Sequence, residues 1–454
     1  MELVKTRFFG RKIIIRDLLQ GLLTPTQPLD FALVGPKMAG KSRLLKFLAA
    51  DNGPLKGTDF AGWRPERFKD GRSVFVGQYD CDWPAAQKHL THFINNQLQQ
   101  QLKETSSIKI QWNQIDEAAS PGLQIGQLTR QLEQQGIRLV LLLDNFDHIF
   151  RSHHVTESMI NELRPLTNEL GLIVASEYSL HDLDSNQTEA ASPLFNVMHQ
   201  RFVGLLEPAA AREWLDAYGD TLAAEIKELL FNYSGGHPFL LARINDIIVE
   251  FEQFIGGNSH AGQPCLTPDN LPLIELRLTE HGRPLFENMW RKLQDEAQDS
   301  AALALVEQLT RGPLGVASLP GEQMNAMNWL INQAMVRFDQ TCYKLFSPLF
   351  VAFLEEKLPA APPPPPPKNI DVINQLPPKE AALLKYFQAR ANMVISFDEL
   401  LANVWKKPNA SPRRVQEAIR RLRNSLSEQP VPIGEIKSER GQGYRYIPAK
   451  HPPE

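Results

Sequence analysis

The sequence predicts an α/β fold with a doubly wound parallel sheet, followed by helical segments and by a separate small α+β domain. Three observations lead to this prediction. Short apolar runs alternate with amphipathic segments over residues 1–206, as they do where strands are joined by crossover helices. Six consecutive prolines at 362–367 divide the chain, because they favour an extended rod rather than a packed core. Residues 371–454 then show three helical patterns and a hairpin pattern.

The composition is that of an ordinary globular protein. The 454 residues allow two to four domains, with 43% hydrophobic and 22% charged residues. No apolar run approaches the roughly 18 residues of a membrane-spanning helix, and the first residues lack the apolar stretch of a signal peptide. Cys81, Cys265 and Cys342 are too few and too scattered for a disulfide framework or a metal site. We therefore expect a cytoplasmic location and no membrane partner.

The net charge of −4 conceals an asymmetry between the two ends of the chain. From Asp371 onward, 14 Lys and Arg stand against 9 Asp and Glu, whereas the rest of the chain carries 34 against 43. The basic surplus therefore lies wholly in the last domain, where a nucleic-acid partner would need it.

The first strong motif spans residues 30–45. The apolar run Phe31–Val34 leads into a stretch that fits the phosphate-loop pattern G-x-x-x-x-G-K-[ST], and a helical pattern follows. The glycines allow backbone angles that turn successive N–H groups toward a phosphate at the amino end of the helix. Lys41 adds a positive charge for the outer phosphates, and Ser42 adds a hydroxyl ligand for Mg²⁺. We expect ATP or ADP to contact Gly35, Pro36, Lys37, Met38, Ala39, Gly40, Lys41, Ser42 and Arg43.

A second motif closes a buried strand. Residues 138–144 form a near-continuous apolar run that ends in a carboxylate, as expected of a strand buried on both faces of a parallel sheet. Ligands collect at the carboxyl ends of such strands, where Asp144 can hold the Mg²⁺ that bridges the phosphates. An aspartate that caps the following turn is the alternative. Lys41 and Asp144 are the candidate catalytic residues.

The remaining patterns of the first 358 residues complete the core and suggest a lid and a further module. Strands are expected at 73–76, before an acidic loop at 78–82, and at 172–176 and 202–206. Helical patterns and one hairpin pattern follow, at 207–218, 222–233, 239–254, 284–293, 300–309, 323–333, 335–346 (the hairpin) and 348–358. We interpret 1–206 as the core, 207–262 as a helical lid and 263–358 as a winged-helix-like module. Helix 323–333 has no basic residue, which favours packing and relay over DNA reading.

Four motifs in this part of the chain resemble, in order and spacing, the STAND class of AAA+-like signal-transduction ATPases. They are FFGR at 8–11, GPKMAGKS at 35–42, LLLDNFD at 141–147 and GGHPFLL at 235–241. The resemblance covers roughly residues 5–355. It implies that Asp144 is the Walker B acid and that Lys41 and Ser42 hold phosphate and metal. It further implies that the base, the ribose and the lid side of the nucleotide are contacted by Phe9, Gly10, Arg11, His237 and Pro238.

The sequence departs from many STAND relatives at two positions. Asn145 stands where they carry a second acid that orients the attacking water, and an amide cannot accept a proton as a carboxylate can. Asp147 is the alternative acid, although a turn cap suits it better. Ala175–Glu177 lacks the Asn, Thr or Arg that senses the terminal phosphate. We therefore expect slow or absent hydrolysis, with ATP acting mainly as the ligand of a switch.

Residues 359–370 form a proline-rich linker, for which a ligand of SH3-like domains is the alternative interpretation. In the domain 371–454, Ser396 and Glu399 form a capping box before the second helix. The third helix begins with Ser411 as N-cap and Pro412 as its first residue. Its core stripe is expected to comprise Val415, Ala418, Ile419, Leu422 and Leu426.

The opposite face of this third helix is rich in arginine, glutamine and asparagine, which can read base edges or bind phosphates in a major groove. A solvated arginine-rich face is the alternative, but the hairpin at 433–446 supplies a wing with arginines. The whole stretch resembles the OmpR-type winged helix of bacterial response regulators, through 376–384, 399–405, 413–426 and 440–445. The residues expected to face double-stranded DNA are Arg413, Arg414, Gln416, Glu417, Arg420, Arg421, Asn424, Arg440, Tyr444 and Arg445.

Together these patterns predict an ATP-binding regulator that binds DNA through its last domain, with nucleotide state controlling conformation or assembly. Homo-oligomerisation and an unknown signal or protein partner belong to this hypothesis, because one small DNA-binding module gives only modest affinity. Two alternatives remain: a DNA-stimulated ATPase of mobile-element or defence type, and a scaffold whose winged helix docks on a protein.

Overall fold

The computed structural model describes most of the chain. The described residues are 7–71, 73–151, 163, 166–167, 169–180, 183, 197–219, 222–254, 266, 268–295, 300–316, 319–358, 376–391, 393–405, 412–427, 434–439 and 443–448. They form two compact units that divide between Leu358 and Pro359. The division coincides with the start of the predicted linker, whose own residues lie outside the described part.

A five-stranded parallel sheet organises the first unit. Its strands are β1 (Phe31–Val34), β2 (Val74–Asp80), β3 (Arg138–Asp144), β4 (Gly171–Ser176) and β5 (His199–Phe202). They run in the order β2-β3-β4-β1-β5, with every neighbouring pair parallel. Since β4 separates β1 from β3, the loop after β1 and the acid that ends β3 face each other across the end of β4. The predicted α/β fold class is confirmed.

The sheet is buried on both faces, as the apolar run of β3 predicted. Leu139, Leu141 and Leu143 pack into one hydrophobic cluster, whereas Val140 and Leu142 pack into another on the opposite face. The helices that cover the two faces are α1 (Lys12–Leu22), α2 (Lys41–Ala49), α3 (Pro84–Lys88), α4 (Leu90–Glu104) and α5 (Pro121–Gln134). Within the described residues, no helix is both long enough and apolar enough to cross a membrane.

Two predicted strand boundaries were wrong. The expected acidic loop at 78–82 belongs in large part to β2, whose last residues pair in register with Leu142–Asp144 of β3. The last strand is His199–Phe202 rather than 202–206, because polar residues suffice for an edge strand with partly exposed side chains. Of the residues that follow, Val203 still contacts β1, since its amide donates to the carbonyl of Val34 at 2.7 Å, whereas the amide of Leu206 donates to the carbonyl of Gly236 at 2.9 Å.

Helices and a small sheet build the rest of the first unit. The helices are α6 (Pro208–Asp216), α7 (Ala224–Ser234), α8 (Pro238–Phe254), α9 (Leu271–Asp295), α10 (Ser300–Arg311), α11 (Met324–Asn332) and α12 (Pro348–Lys357). The antiparallel sheet has the order β6 (Leu314–Gly315), β8 (Cys342–Leu345), β7 (Val336–Asp339). One hydrophobic cluster runs through all these elements, so the predicted boundary near 262 between lid and module stays a prediction.

Helix α9 differs from its prediction, which began at Pro284. The helix starts 13 residues earlier, at Leu271, and passes through the proline. Its first turns bury Ile274 and Leu278 in the cluster that also holds α8, and this burial outweighs the cost of an internal proline.

The second unit is a winged helix. Its helices are α13 (Pro378–Gln388), α14 (Phe397–Asn403) and α15 (Pro412–Ser427), and its sheet has the order β10 (Gly434–Glu439), β11 (Gly443–Pro448), β9 (Val394–Ile395). Ser396 Oγ accepts from the amide of Glu399 at 3.2 Å, as the capping pattern predicted. The stripe Val415, Ile419, Leu422 and Leu426 of α15 is buried in the core.

Truncating a core residue of the second unit will test its independence. Phe387 is fully buried at the centre of the winged-helix core. We expect Phe387→Ala to destabilise this unit by about 3–5 kcal/mol, because it removes a buried ring and leaves a cavity. Urea unfolding of the full chain followed by circular dichroism should show one transition at lower urea, while a transition of the first unit stays in place. A shift of both transitions together would contradict the division.

Candidate functional site

The loop after β1 has the backbone that a phosphate site requires. Gly40 is the N-cap of α2 and has a φ of 91°, in the left-handed region. Gly35 needs its lack of a side chain for a different reason, since a Cβ there would lie 2.1 Å from the carbonyl oxygen of Val203. The loop therefore points its amides toward the amino end of α2, where the helix dipole favours an anion.

A cavity of about 270 Å³ opens above this loop. Its lining comprises Lys37, Met38, Gly40, Lys41, Ser42, Asn145, Asp147, His148 and Glu177. Lys41 Nζ donates to the carbonyl oxygens of Gly35 at 2.6 Å and Pro36 at 3.0 Å. Burial lowers the pKa of Lys41 to about 8, against the opposing effect of Glu177 and Asp147. Any anion placed in the cavity would therefore stabilise the ammonium group of Lys41.

The acidic side of the cavity is formed by Asp147 and Glu177, which follow β3 and β4, whereas Asp80 and Asp144 at the ends of β2 and β3 do not line it. Asp80 and Asp144 pair in register, and Asn145, which follows with a φ of 51°, donates from Nδ2 to Asp80 Oδ1 at 2.9 Å. Asp147 Oδ1 accepts from the amide of Glu177 at 3.1 Å. Asn145 and Asp147 are therefore engaged with neighbouring protein groups. Ser42 and Asp144 offer hydroxyl and carboxylate oxygens, the donor types that suit Mg²⁺.

Phe9, Gly10 and Arg11 do not line this cavity, and Arg11 braces the phosphate loop. Phe9 is buried and stacks on Trp214, with ring centroids 5.4 Å apart. The buried guanidinium of Arg11 donates to the carbonyls of Ala39 at 3.2 Å and Leu205 at 3.0 Å, and also to that of Gly204. Arg11 therefore ties the segment after β5 to the phosphate loop.

His237 and Pro238 differ in their placement. His237 is fully buried, and its Nδ1 accepts from the amide of Phe239 at 3.2 Å. Burial, and then Arg11, lower the pKa of His237 to about 3, so the ring is neutral. Its ring packs against Phe346 and does not line the cavity, so its predicted role as a nucleotide contact stays a prediction. Pro238 lies over the loop, 3.8 Å from where a Cβ on Gly40 would stand.

A second cavity of about 270 Å³ lies beside the same helix α2. It is lined by Arg43, Trp214, Tyr218, Ala242, Arg243, Asn245 and Asp246. Asn245 is 3% exposed, and its Nδ2 has no hydrogen-bond partner among the described residues. Buried donors of this kind favour a ligand acceptor. Of the lining residues, only Arg43 was predicted; a polar Asn245 within the apolar stripe of α8 was the signal in the sequence.

Sequence reasoning also missed a buried ion pair at the first cavity. Glu177, directly after β4, pairs through Oε1 with Lys292 Nζ of α9 at 3.4 Å. Its Oε2 lies 3.7 Å from Lys37 Nζ in the phosphate loop. The carboxylate therefore joins the loop to a helix that lies 115 positions further along the chain.

The outer face of α15 presents most of the predicted DNA-contacting residues. Arg413, Gln416, Arg420, Arg421 and Asn424 are exposed. Glu417 lies between two of them, pairing with Arg420 at 2.9 Å and Arg421 at 3.3 Å. The hydrogen bond from Arg420 is the main reason that the pKa of Glu417 is lowered to about 2. The helix position of Arg414 is described, but its side chain is not.

The predicted wing residues differ in their surroundings. Tyr444 is buried in the winged-helix core and meets Phe397 edge-on at 5.2 Å, so its predicted outward role was wrong. It packs because β11 turns this residue toward the helices. Arg445 Nε lies 3.1 Å from Glu439 Oε1 on the neighbouring strand. Arg440, expected at the tip, lies outside the described residues. Arg423 donates to the carbonyl of Ile436 at 2.8 Å and so anchors β10 to α15.

Known proteins match this chain at the level of families and folds. Among solved structures, it is similar to the Walker-type ATPase of Pyrococcus abyssi, with 15% identity over 77% of this chain and 96% of that chain and a TM-score of 0.46. A STAND protein with a tetratricopeptide repeat sensor from Pyrococcus horikoshii shows 12% identity over 94% of this chain and 54% of that chain, with a TM-score of 0.32. The DNA-binding domain of E. coli CadC shows 32% identity over 16% of this chain and 70% of that chain, with a TM-score of 0.15.

Two protein families match by sequence, whereas no curated protein matches. The family described as an AAA domain matches residues 30–183, and the family described as the C-terminal domain of transcriptional regulatory proteins matches residues 373–446. The first range contains the phosphate loop and Asp144, and the second contains α15 and the wing. The chain therefore contains an AAA domain, and its winged-helix unit matches the C-terminal domain of transcriptional regulatory proteins.

Proposed function

We propose that the chain is a STAND-like transcriptional regulator in which the nucleotide bound by the first unit controls conformation or assembly, and thereby DNA binding by the second. The observation that carries this proposal is the combination of a phosphate cavity, lined by the half-buried Lys41, with an arginine-bearing outer face on α15 in one chain. A titration of labelled double-stranded DNA with the full chain, in the presence of ATP, ADP or neither, tests it. Equal DNA affinity and equal assembly in all three conditions would refute it.

The two cavities suggest how a nucleotide lies. Phosphates fit the first cavity, where loop amides, Lys41 and the amino end of α2 provide positive charge. Mg²⁺ would be held there by Ser42 and Asp144 and would offset the phosphate charge. The base and ribose fit the second cavity, because Arg43 follows directly after Lys41 and Ser42 on the same helix. Asn245 Nδ2 then provides a buried donor for an acceptor on the base.

Hydrolysis by this site would be slow. A general base must reach the attacking water with a free acceptor. Asn145 is an amide and donates to Asp80, while Asp147 accepts from the backbone of Glu177. These contacts favour a nucleotide that acts as a ligand over one that is turned over rapidly. DNA-stimulated turnover at about 1 per second or faster would instead favour the ATPase alternative.

The pH dependence of nucleotide affinity tests the role of Lys41. The protonated amine binds phosphate, and its pKa of about 8 means that the protonated fraction falls from roughly nine-tenths at pH 7 to roughly one-tenth at pH 9. We expect ATP affinity to fall about tenfold over this range, as measured by calorimetric titration. Circular dichroism at both pH values is the control for folding. An affinity that stays constant would contradict this assignment.

Replacement of Lys41 tests the phosphate site more directly. We expect Lys41→Ala to abolish nucleotide binding, because the cavity loses the cation nearest to the phosphates. In thermal unfolding, a ligand at 100 times its Kd adds about 2.7 kcal/mol of stability to the wild type, and it should add nothing to the variant. DNA binding without nucleotide should be retained. Stabilisation of the variant by ATP would show that Lys41 is dispensable.

Removal of two arginines tests the DNA-binding face. We expect Arg420→Ala with Arg421→Ala to weaken DNA binding by roughly tenfold to a hundredfold, since a base or phosphate contact contributes about 1–3 kcal/mol. ATP affinity should not change. The matched control is Lys379→Ala with Lys385→Ala, which removes two exposed charges from α13 of the same unit. Equal effects of the two pairs in a gel-shift titration would refute the assignment, and salt-insensitive binding would favour the protein-docking scaffold.

A further inference from the structure

We propose that Lys292 is the residue that distinguishes ATP from ADP, by exchanging its partner Glu177 for the terminal phosphate. The inference rests on the proposed function, because it needs a nucleotide in the first cavity. It gives Lys292 a binding role in place of a purely structural one. It also identifies a sensor for the terminal phosphate in a chain in which Glu177, rather than a phosphate-binding side chain, follows β4.

The position of Glu177 is the first step. It follows the last residue of β4, the strand between the phosphate loop and Asp144, and it lines the first cavity. Its carboxylate pairs with Lys37 of the loop at 3.7 Å and with Lys292 of α9 at 3.4 Å. A phosphate that enters the cavity therefore meets the carboxylate of Glu177, which repels it, and the ammonium group of Lys37, which attracts it. The ammonium group of Lys292 does not line the cavity but contacts the Glu177 carboxylate that does.

The two lysines differ in the exposure of their side chains, which decides their roles. The side chain of Lys37 is 47% exposed and can follow any phosphate without moving the backbone. The side chain of Lys292 is only 5% exposed, and its Nζ also lies 4.8 Å from the ring centroid of Tyr178. Lys292 is buried on a long helix. A new partner for its ammonium group would therefore shift the helix as a whole and not only the side chain.

Burial makes the Glu177–Lys292 pair costly to keep. Both side chains are less than a tenth exposed, and the desolvation of two charges often cancels the attraction between them. The presence of this ion pair therefore does not by itself indicate that it stabilises the fold. In contrast, a buried cation beside an anion cavity binds strongly when the anion arrives, since little water screens the interaction.

The position of the third phosphate explains the selectivity. A diphosphate held by Gly40, Lys41 and Ser42 satisfies the loop amides and the Lys41 ammonium. It leaves the side of the cavity formed by Asp147 and Glu177 without a phosphate. Only ATP carries a third phosphate that can extend to this side and compete with Glu177 for Lys292. ADP leaves the Glu177–Lys292 pair intact.

Helix α9 connects this exchange to the winged-helix-like module. Phe286, less than two turns before Lys292, contacts Phe350 and Phe353 of α12 at ring-centroid distances of 5.5 and 5.7 Å. Met289 and Leu293 of α9 belong to the same hydrophobic cluster as α12. A shift of Lys292 toward the terminal phosphate would therefore be transmitted to the last helix of the first unit.

The test compares ATP and ADP affinities of full-length variants by isothermal titration calorimetry. We expect Lys292→Gln to weaken ATP by about tenfold while ADP stays within twofold, because a neutral amide cannot replace the ammonium group. Glu177→Gln should act in the opposite direction and tighten ATP several-fold, since it removes the repelling charge and releases Lys292. The matched control is Lys357→Gln, which breaks a similar pair with Glu287, 3.0 Å apart, on the outside of the same module.

A structural role for the pair predicts a different pattern, in which both Lys292→Gln and Glu177→Gln weaken ATP and ADP to the same extent. That result, or equal affinity of the wild type for the two nucleotides, would overturn the proposal. Thermal unfolding shows whether Lys292→Gln folds. Should it not fold, Glu177→Gln decides alone, because only the proposed exchange predicts tighter ATP binding.

The DNA titration separates failure of this inference from failure of the proposed function. When Lys292→Gln loses ATP selectivity but wild-type DNA affinity and assembly ignore nucleotide, the inference stands and the proposed function fails. When DNA binding by the wild type responds to ATP but Lys292→Gln keeps its selectivity, the proposed function stands and Lys292 is not the sensor.

Discussion

Charge confined at the carboxyl edge of the parallel sheet is the constraint on which the first unit depends. The strand order β2-β3-β4-β1-β5 brings Asp80, Asp144 and Glu177 to the same edge as the phosphate loop. Lys41 lies among them with its pKa lowered by burial, and it uses loop carbonyls as acceptors. Such an arrangement is stable only when each buried charge has a nearby partner. A phosphate placed beside Lys41 would therefore change the balance of charge around this ammonium group.

In the second unit, by contrast, the charges expected to bind the ligand lie at the surface. Arg413, Arg420 and Arg421 of α15 are exposed, where water screens them and their mutual repulsion costs little. Glu417 pairs with Arg420 and Arg421, which holds both guanidinium groups on one face. This arrangement orients the arginines while DNA is absent, and phosphates of higher charge density can compete with the single carboxylate. Arg423 contributes by fixing the wing strand β10 to the same helix.

The sequence predicted those parts of the structure whose causes are local. The phosphate loop, the fully buried strand β3 and the amphipathic helix α15 are each specified by a short stretch, so pattern and spacing were enough. The edge strand β5 was misplaced because its polar residues owe their position to pairing with β1, which lies over 160 positions earlier. Tyr444 was misassigned for a related reason: its register on β11, rather than its chemistry, decides that it packs inward.

The sequence predicted the part of the candidate site that is formed by the backbone of the phosphate loop. It did not predict the part that is formed by side chains far apart in the sequence. Glu177 and Lys292 are separated by 115 positions, and neither belongs to a motif. Asn245 lies on α8 and Trp214 on α6, and only the packing of these two helices places them beside Arg43. Non-local contacts of this kind follow from the packing of whole elements, for which a single sequence carries no periodic signal. The hydrogen bonds by which Arg11 braces the phosphate loop could likewise not be predicted from the sequence, since their acceptors are backbone carbonyls.

The energy available from one ion-pair exchange limits what the nucleotide can do in a single chain. Coupling between two sites is typically about 1–3 kcal/mol, which corresponds to a 5- to 150-fold change in affinity. A switch from 1:99 to 99:1 needs about 5.5 kcal/mol. One chain would therefore switch only in part. If assembly requires two or more nucleotide-bound chains, the coupling energies add across the copies, and linked winged helices gain further from effective concentration. Homo-oligomerisation would therefore serve the proposed regulator. Ion-pair exchanges at Glu177 and Lys292 in several copies would together change DNA occupancy more than one exchange can.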